Sequence, residues 1–526
     1  MPENGAREAG KSRKLMSPKG ALSIANSVLG GVLGTFALIF VAQNMGPEVL
    51  GVLAFALASV GILSFLSDFG AGSVHVREIR KGADVGKCVG AYAIIRLTLL
   101  VIFAVISIVL IELWKRGYVG DNGYGNEVLA DSLYVFLIYY VLLGITQIGT
   151  HTFDALDQSA KVYVPQLLEV TIRISLMIYI SLSTLGGTPE APALLASAYG
   201  IGIVCSALLV SYLVRNLPMA MPDRKILVTY IRSFAPVFLV TMILVFDLYL
   251  DKVVVGSFWG FEELGLYFGA QKMAIFVSIF SMSVATMILP SLTAYHYRRD
   301  LSASWHVVSQ AERYVSLIVV PIAAFYIFYS RDILRELFGE LFVPAVDTMN
   351  VLVLASALLA LVLPLRSVIA SVGRPSILFW IGAGGIALEL LLMVVFVPES
   401  FLGIDMFGLK GFGAAMAILV GSMFYFGAFR IMVWRTSRIL PTTGIFKHLL
   451  CAAMMLFTLY IVDLLLPRVD LIALVLQAIV GLVSYATAAY LMGELKRSDY
   501  RKFREMLNPS ETLGYVVHEL LGKRSQ

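Results

Sequence analysis

Gly46-Pro-Glu-Val-Leu-Gly-Val-Leu-Ala-Phe-Ala56 returns 214 residues later as Gly260-Phe-Glu-Glu-Leu-Gly-Leu-Tyr-Phe-Gly-Ala270. Five of the eleven positions are identical, the opening glycine, the glutamate, the leucine, the second glycine and the closing alanine. Each copy joins two long apolar runs. Crossing roughly 30 Å of hydrocarbon takes about 20 apolar residues. Fourteen runs of that kind occur, at 20–43, 50–71, 88–111, 132–153, 162–184, 192–214, 234–256, 264–289, 307–329, 344–365, 376–397, 411–433, 446–466 and 471–493. They are continuous rather than alternating, so they read as helices and not as barrel strands.

The two copies follow the first and the seventh run, so each opens an equivalent unit of six spans. Six is even, and both units therefore enter the membrane in the same sense. The implied symmetry is a two-fold axis along the membrane normal, as in transporters built from parallel repeats. The expected fold is an all-α polytopic membrane protein, with two six-helix lobes and two extra helices. Its parts are a basic N-terminus (1–19), an N-lobe (20–214), a linker (215–233), a C-lobe (234–433), spans 13 and 14 (446–493) and a basic amphipathic tail (494–526).

Composition agrees. Of 526 residues, 59% are hydrophobic and 14% charged, and the mean hydropathy is +0.85. Soluble domains sit near 45–50% and 25%. That balance excludes a soluble enzyme, a nucleic-acid-binding module and a disordered scaffold. The three cysteines, Cys88, Cys205 and Cys451, suit neither a disulfide set nor a zinc site. Residues 1–19 resemble a signal-peptide n-region, but the run that follows is too long and lacks a cleavage site, so it reads as a retained first span.

Lysine and arginine set the orientation. With the N-terminus inside, cytoplasmic segments hold thirty and outside loops seven, and Arg96, Arg173 and Lys272 lie within spans. The net charge of +5 thus reflects topology and attraction to anionic lipid headgroups. Both termini are expected in the cytoplasm of a multi-pass plasma-membrane protein.

Further matches extend the pattern. Ser67-Asp68-Phe69-Gly70 and Arg77-Glu78-Ile79 follow the first copy. Asp251-Lys252-Val-Val-Val-Gly256 precedes Leu264-Gly265-Leu-Tyr267, Ala270 and Lys272. Pro290-Ser291, Pro321, Phe338-Gly339, Pro344-Ala345, Gly373-Arg374-Pro375 and Leu409-Lys-Gly-Phe-Gly413 come after, in that order. Over roughly 20–505 the chain resembles the Wzx-like oligosaccharide flippases of the multidrug/oligosaccharidyl-lipid/polysaccharide exporter superfamily. The 67–90 segment looks most like archaeal members. The resemblance implies a V-shaped transporter that moves a polyprenyl-linked oligosaccharide, on a phosphate or diphosphate, from the inner to the outer leaflet by alternating access. It implies no enzyme activity and no cofactor, and it implies association with glycosyltransferases. A drug exporter on the same fold is the competing expectation. A frequent ion-coupling acid of that branch is absent from span 1, which offers Ser23, Asn26, Ser27 and Thr35.

An ionisable side chain at mid-membrane costs at least about 2.5–3.5 kcal/mol and needs a partner, water or a function. Arg96, Arg173 and Lys272 are the candidate substrate-binding residues, because a charged diphosphate needs counter-charge and arginine meets phosphate bidentately. Glu169 stands one turn before Arg173, so an ion pair is the alternative there. Arg96 has no acid on its own helix and needs a cross-helix partner or a phosphate. Lys272 could neutralise Asp247 or Asp251 across the 7–8 hairpin. Glu169, Asp247, Asp251 and Glu389 are candidates for ion pairing or for proton or sodium coupling. Gly5-Ala-Arg-Glu-Ala-Gly10-Lys11-Ser12 fits the P-loop pattern, but no strand precedes it and a span follows it, so it is rejected as a nucleotide site.

Overall fold

A computed structural model describes residues 18–116, 126–278, 281, 292, 301–438, 444–465 and 470–495. The rejected P-loop, the Pro290-Ser291 pair and nearly all of the tail lie outside these. The order is α1 (Pro18–Leu63), α2 (Phe65–Asp68), α3 (Ala71–Arg80), α4 (Val85–Lys115), α5 (Asn126–Ala155), α6 (Ser159–Leu182), α7 (Ala191–Val214) and α8 (Arg224–Ile275). Then come α9 (Leu301–Phe328), α10 (Ser330–Phe338), α11 (Val346–Ser371), α12 (Pro375–Phe396), α13 (Lys410–Ser437), α14 (Gly444–Leu465) and α15 (Leu471–Leu491). One small hairpin, β1 (Ser400–Phe401) with β2 (Ile404–Asp405), sits between α12 and α13.

Helices dominate because lipid offers backbone groups no partners, so each span must satisfy its own. Among the described residues eleven helices are long and apolar enough to cross a membrane, or twelve with α8, which bends by 51° between Phe234 and Val237. Pro236 lies in that break. The expected linker 215–233 is thus partly helical, from Arg224 onward.

Two of these helices are broken by the repeat itself. Gly46 (φ 80°, ψ −179°) interrupts α1 and Gly260 (φ 80°, ψ −172°) interrupts α8. Both lie where a side chain would be strained and glycine is not. The helix resumes at once after each, and after Gly46 it does so on Pro47, a residue suited to a first helical position.

The two breaks face each other reciprocally. A Cβ on Gly51 would lie 1.7 Å from the Phe261 carbonyl oxygen. A Cβ on Gly265 would lie 1.8 Å from the Pro47 carbonyl oxygen. Gly51 and Gly265 are equivalent in the repeat, as are Pro47 and Phe261, so the contact is made twice in the same way. That is the behaviour of an isologous contact about a two-fold axis.

From this tip a seam runs between α1 and α8. Phe55 packs edge-on against Phe261 (5.3 Å), Gly61 faces Tyr249, and Phe65 meets Phe246 and Phe238 (5.9 Å each). Phe69 stacks on Phe238 at 4.4 Å. The seam ends at the face carrying residues 72–87, 154–161 and 215–233, called the basic face below. There Arg77 Nη2 donates to Ser233 Oγ (2.8 Å) and Lys87 pairs with Asp223 (2.8 Å). At the opposite face Trp259 Nε1 donates to the Val397 carbonyl (2.7 Å), and Lys410 lies over the Trp259 ring (4.7 Å). This ties the β1–β2 connection to the tip.

His75, on α3, is fully buried at the basic end of the seam. Its Nδ1 is 2.9 Å from Tyr230 Oη and its Nε2 is 2.9 Å from Thr152 Oγ1. Thr152 already donates to the Ile148 carbonyl. It must therefore accept from His75, which assigns the Nε2–H tautomer and makes Tyr230 the donor to Nδ1. Burial, with a smaller effect from His151, pushes the His75 pKa down to about 3 from 6.5. The unfolded chain then binds a proton below about pH 6.5 that the folded protein refuses, so this group's contribution is complete above that pH and is lost as the pH falls toward 3. We expect thermal stability to fall over that interval, and His75→Asn to flatten the fall. An equal slope in both proteins, read by thermal unfolding, would contradict the assignment.

Candidate functional site

The embedded charges fall into three groups. The first holds Arg96 on α4, which is 2% exposed. Its Nη1 donates to the Ser67 carbonyl (2.6 Å) and to Asp68 Oδ1 (2.7 Å), and its Nε to the Gly144 carbonyl (3.3 Å). Its Nη2 donates to Gln147 Oε1. The cross-helix partner is Asp68 of α2, with the Ser67 carbonyl beside it and Gly144 and Gln147 of α5 supplying the rest. Arg96 thus braces α2, α4 and α5, and most of its donors are spent within the protein.

The second group surrounds Arg173 on α6. Its Nε donates to Glu169 Oε1 at 2.7 Å, an i, i+4 pair. Its guanidinium lies over the Tyr199 ring at 4.5 Å. Tyr139 meets Tyr199 edge-on at 5.7 Å, and Tyr140 Oη donates to Tyr249 Oη at 2.9 Å. Arg173 thus sits against Tyr199 of α7, from which a connected run of tyrosines continues through Tyr139 and Tyr140 of α5 to Tyr249 of α8. Among the described residues the two terminal amino groups of Arg173 have no hydrogen-bond partner. Lys272 on α8 lies over Phe268 at 4.8 Å and within electrostatic reach of Lys252, Arg173 and Asp251. Among the described residues it has no ion-pair partner.

The third group is acidic and lies on the C-terminal half. Asp251 is 2% exposed. It receives Lys252 Nζ (2.9 and 3.0 Å), Tyr267 Oη (2.7 Å) and Gln271 Nε2 (2.6 Å). Its cation is therefore its chain neighbour Lys252 and not Lys272. Asp247 lies within electrostatic reach of Asp251, Arg366 and Lys252. Glu389, on α12, is 8% exposed and packs on α13, where a Cβ at Gly421 would lie 2.1 Å from its Oε1. It is within reach of Asp247 and Asp251. Among the described residues its carboxyl has no hydrogen-bond or ion-pair partner.

The structure thus brings Arg173 and Lys272 together from the two halves of the chain, with Arg96 elsewhere. It brings Asp247, Asp251 and Glu389 together as well. Sequence reasoning missed Lys252, Arg366 and the four tyrosines. Tyrosines in apolar runs are usually read as membrane-interface residues, and only the packing reveals that these form one run that ends on a charge. Among the described residues no group of three or more His, Cys, Asp or Glu is arranged to hold a metal ion.

Comparison with known proteins bears on the family and the fold. The model of the polysaccharide biosynthesis protein family matches residues 18–296. The probable low-salt glycan biosynthesis flippase Agl15 of Haloferax volcanii is 22% identical over 399 residues, 76% of this chain and 79% of that one. The lipid II flippase MurJ in an inward closed conformation superposes with a TM-score of 0.73, at 14% identity, over 90% of this chain and 98% of that one. A multidrug resistance MATE family transporter of the MOP superfamily, inward-facing, gives 0.62 at 17% identity, over 81% and 100%.

Proposed function

The chain belongs to the polysaccharide biosynthesis protein family, and from that premise we propose that it carries a lipid-linked oligosaccharide from the inner to the outer leaflet. The basic face is the cytoplasmic one in this reading. The breaks at Gly46 and Gly260 act as turns, which gives fourteen crossings arranged as two lobes and two extra helices. The reciprocal contact at the tip is the natural pivot for alternating access.

One observation carries the reading. Arg173 and Lys272 place two like charges within reach of each other in an apolar protein, with the amino groups of Arg173 unpartnered. Like charges repel strongly where the dielectric is low, so the pair makes sense when an anion joins it. A polyprenyl phosphate or diphosphate supplies that anion, Arg173 meeting it through paired donors and Lys272 as a point charge. The lipid tail stays in the bilayer while the head passes between the lobes. In this arrangement Arg96 is a brace and not a substrate contact. Arg96→Ala is expected to lower the yield of folded protein by leaving Asp68 unpaired. Wild-type yield and stability in that variant would contradict the brace.

Glu389 and Asp247 carry the coupling in this account. A carboxyl without a protein partner is suited to exchange a proton or to hold sodium during the cycle. We expect Glu389→Gln to keep ungraded flipping and to lose its stimulation by a proton or sodium gradient. Undiminished stimulation would remove Glu389 from the coupling. The same acids are what a cation-exporting drug transporter would use, which makes drug export the second reading. It predicts gradient-driven efflux of cationic dyes that survives Arg173→Ala.

A further inference from the structure

We propose that a crevice between α5, α6 and α7 is a binding site for one uncharged sugar ring of the transported glycan. The inference deepens the transport reading above and rests on it. The crevice is about 320 Å³ and is walled by α5 and α6 and floored by α7. That volume is at the small end for ligand pockets. It extends from Asp154 and Ser159, at the basic face, to Glu169 and Tyr139 deep in the bundle.

Its chemistry selects the ligand. No lysine or arginine is among its lining residues, so it does not take an anion. Its two acids are committed, Asp154 to Arg80 (3.2 Å) and Glu169 to Arg173 (2.7 Å), so it does not take a cation. What remains are neutral hydrogen-bonding groups and tyrosine faces. Thr150 and Ser206 are only 8% and 4% exposed. Among the described residues neither hydroxyl has a partner, and both residues line the crevice. Gln147 Nε2, His151 Nε2 and Tyr163 Oη are also without partners there. An array of neutral donors and acceptors beside aromatic surface is complementary to a ring of hydroxyl groups with an apolar face.

The crevice is also wired to the seam. Gln147 accepts from Arg96 with its oxygen, which leaves its amide nitrogen for the crevice. His151 meets Tyr92 Oη through Nδ1 (2.8 Å). Tyr92 in turn stacks on His75 at 4.5 Å, and His75 is bonded to Tyr230 of α8. A sugar held by Gln147 and His151 therefore touches the two side chains that lead to the closed basic end of the seam. Sugar recognition and lobe closure would share these residues.

The test uses the full chain in nanodiscs and a panel of free methyl hexosides and N-acetylhexosaminides, with binding followed by saturation-transfer NMR. At least one member is expected to bind in the millimolar range, as suits a ligand of about a dozen heavy atoms. Thr150→Val keeps shape and removes the hydroxyl, and it should weaken that binding about tenfold, as should Ser206→Ala. Ser175→Ala, at an exposed hydroxyl of α6 that bonds to the Thr171 carbonyl outside the crevice, should leave it unchanged. No binding by any member, or binding indifferent to Thr150→Val and Ser206→Ala, would overturn the site and leave a crevice filled by water only. The transport reading is judged separately. Arg173-dependent flipping without hexoside binding sinks this inference alone. Hexoside binding in a protein that flips no lipid-linked glycan sinks the transport reading and keeps the site.

Discussion

Arg173→Ala is expected to reduce translocation of a polyprenyl-linked oligosaccharide by about a hundredfold while the protein remains folded. Two charge-assisted hydrogen bonds to phosphate are worth roughly 3 kcal/mol, which is about a factor of 100 in rate when they act during passage. The Nε of Arg173 is held by Glu169 at 2.7 Å, and its ring contact with Tyr199 fixes the plane. The two amino groups are thereby presented as a preset fork. Arg173→Lys keeps the charge and loses the fork, so it should fall between wild type and alanine. Alanine also strands Glu169, so the double variant Arg173→Ala with Glu169→Gln separates the two causes. It should fold as well as wild type and still fail to transport. Wild-type flipping in Arg173→Ala would remove the residue from the substrate path.

The second large effect lies at the tip. Gly51→Ala and Gly265→Ala each drive a methyl carbon into a carbonyl of the opposite half, at 1.7 and 1.8 Å. A flexible side chain could yield, but here the obstacle is backbone on both sides. Overpacking of this kind costs about 1–3 kcal/mol or more. Each variant should lower the unfolding temperature and abolish transport, because the halves cannot both hold this contact and accept the methyl. Gly34→Ala is the control, since beyond the backbone of its own helix no described atom lies within 4 Å of its Cβ position. Equal stability and transport in Gly51→Ala and Gly34→Ala would show that the tip is not the pivot.

Both halves of that contact were visible in the sequence as identical positions of the repeat. The repeat marked where α1 and α8 break, because a glycine at positive φ has few substitutes. It did not tell that the two copies touch, which depends on how α1 and α8 pack. The charged groups divide in the same way. Glu169 and Arg173 were legible as a pair because residues four apart share a helix face. The partner of Arg96 was not, since Asp68 belongs to another span and 28 residues separate them. Lys252 beside Asp251 was passed over because chain neighbours on a helix usually diverge. The long lysine stem folds back instead, reaching the Leu248 carbonyl as well. Thr150 and Ser206 gave no signal, because a hydroxyl in an apolar helix normally bonds to a carbonyl one turn back. Their failure to do so exists only in three dimensions.

The most direct test is translocation in proteoliposomes. Purified protein is reconstituted with a fluorescent polyprenyl-linked oligosaccharide, and arrival at the outer surface is followed with an impermeant glycan-cleaving enzyme. Exposure faster than in empty liposomes, lost in Arg173→Ala and in Lys272→Ala, is the predicted result. Exposure no faster than in empty liposomes for any lipid-linked glycan, under a proton or a sodium gradient alike, would contradict it.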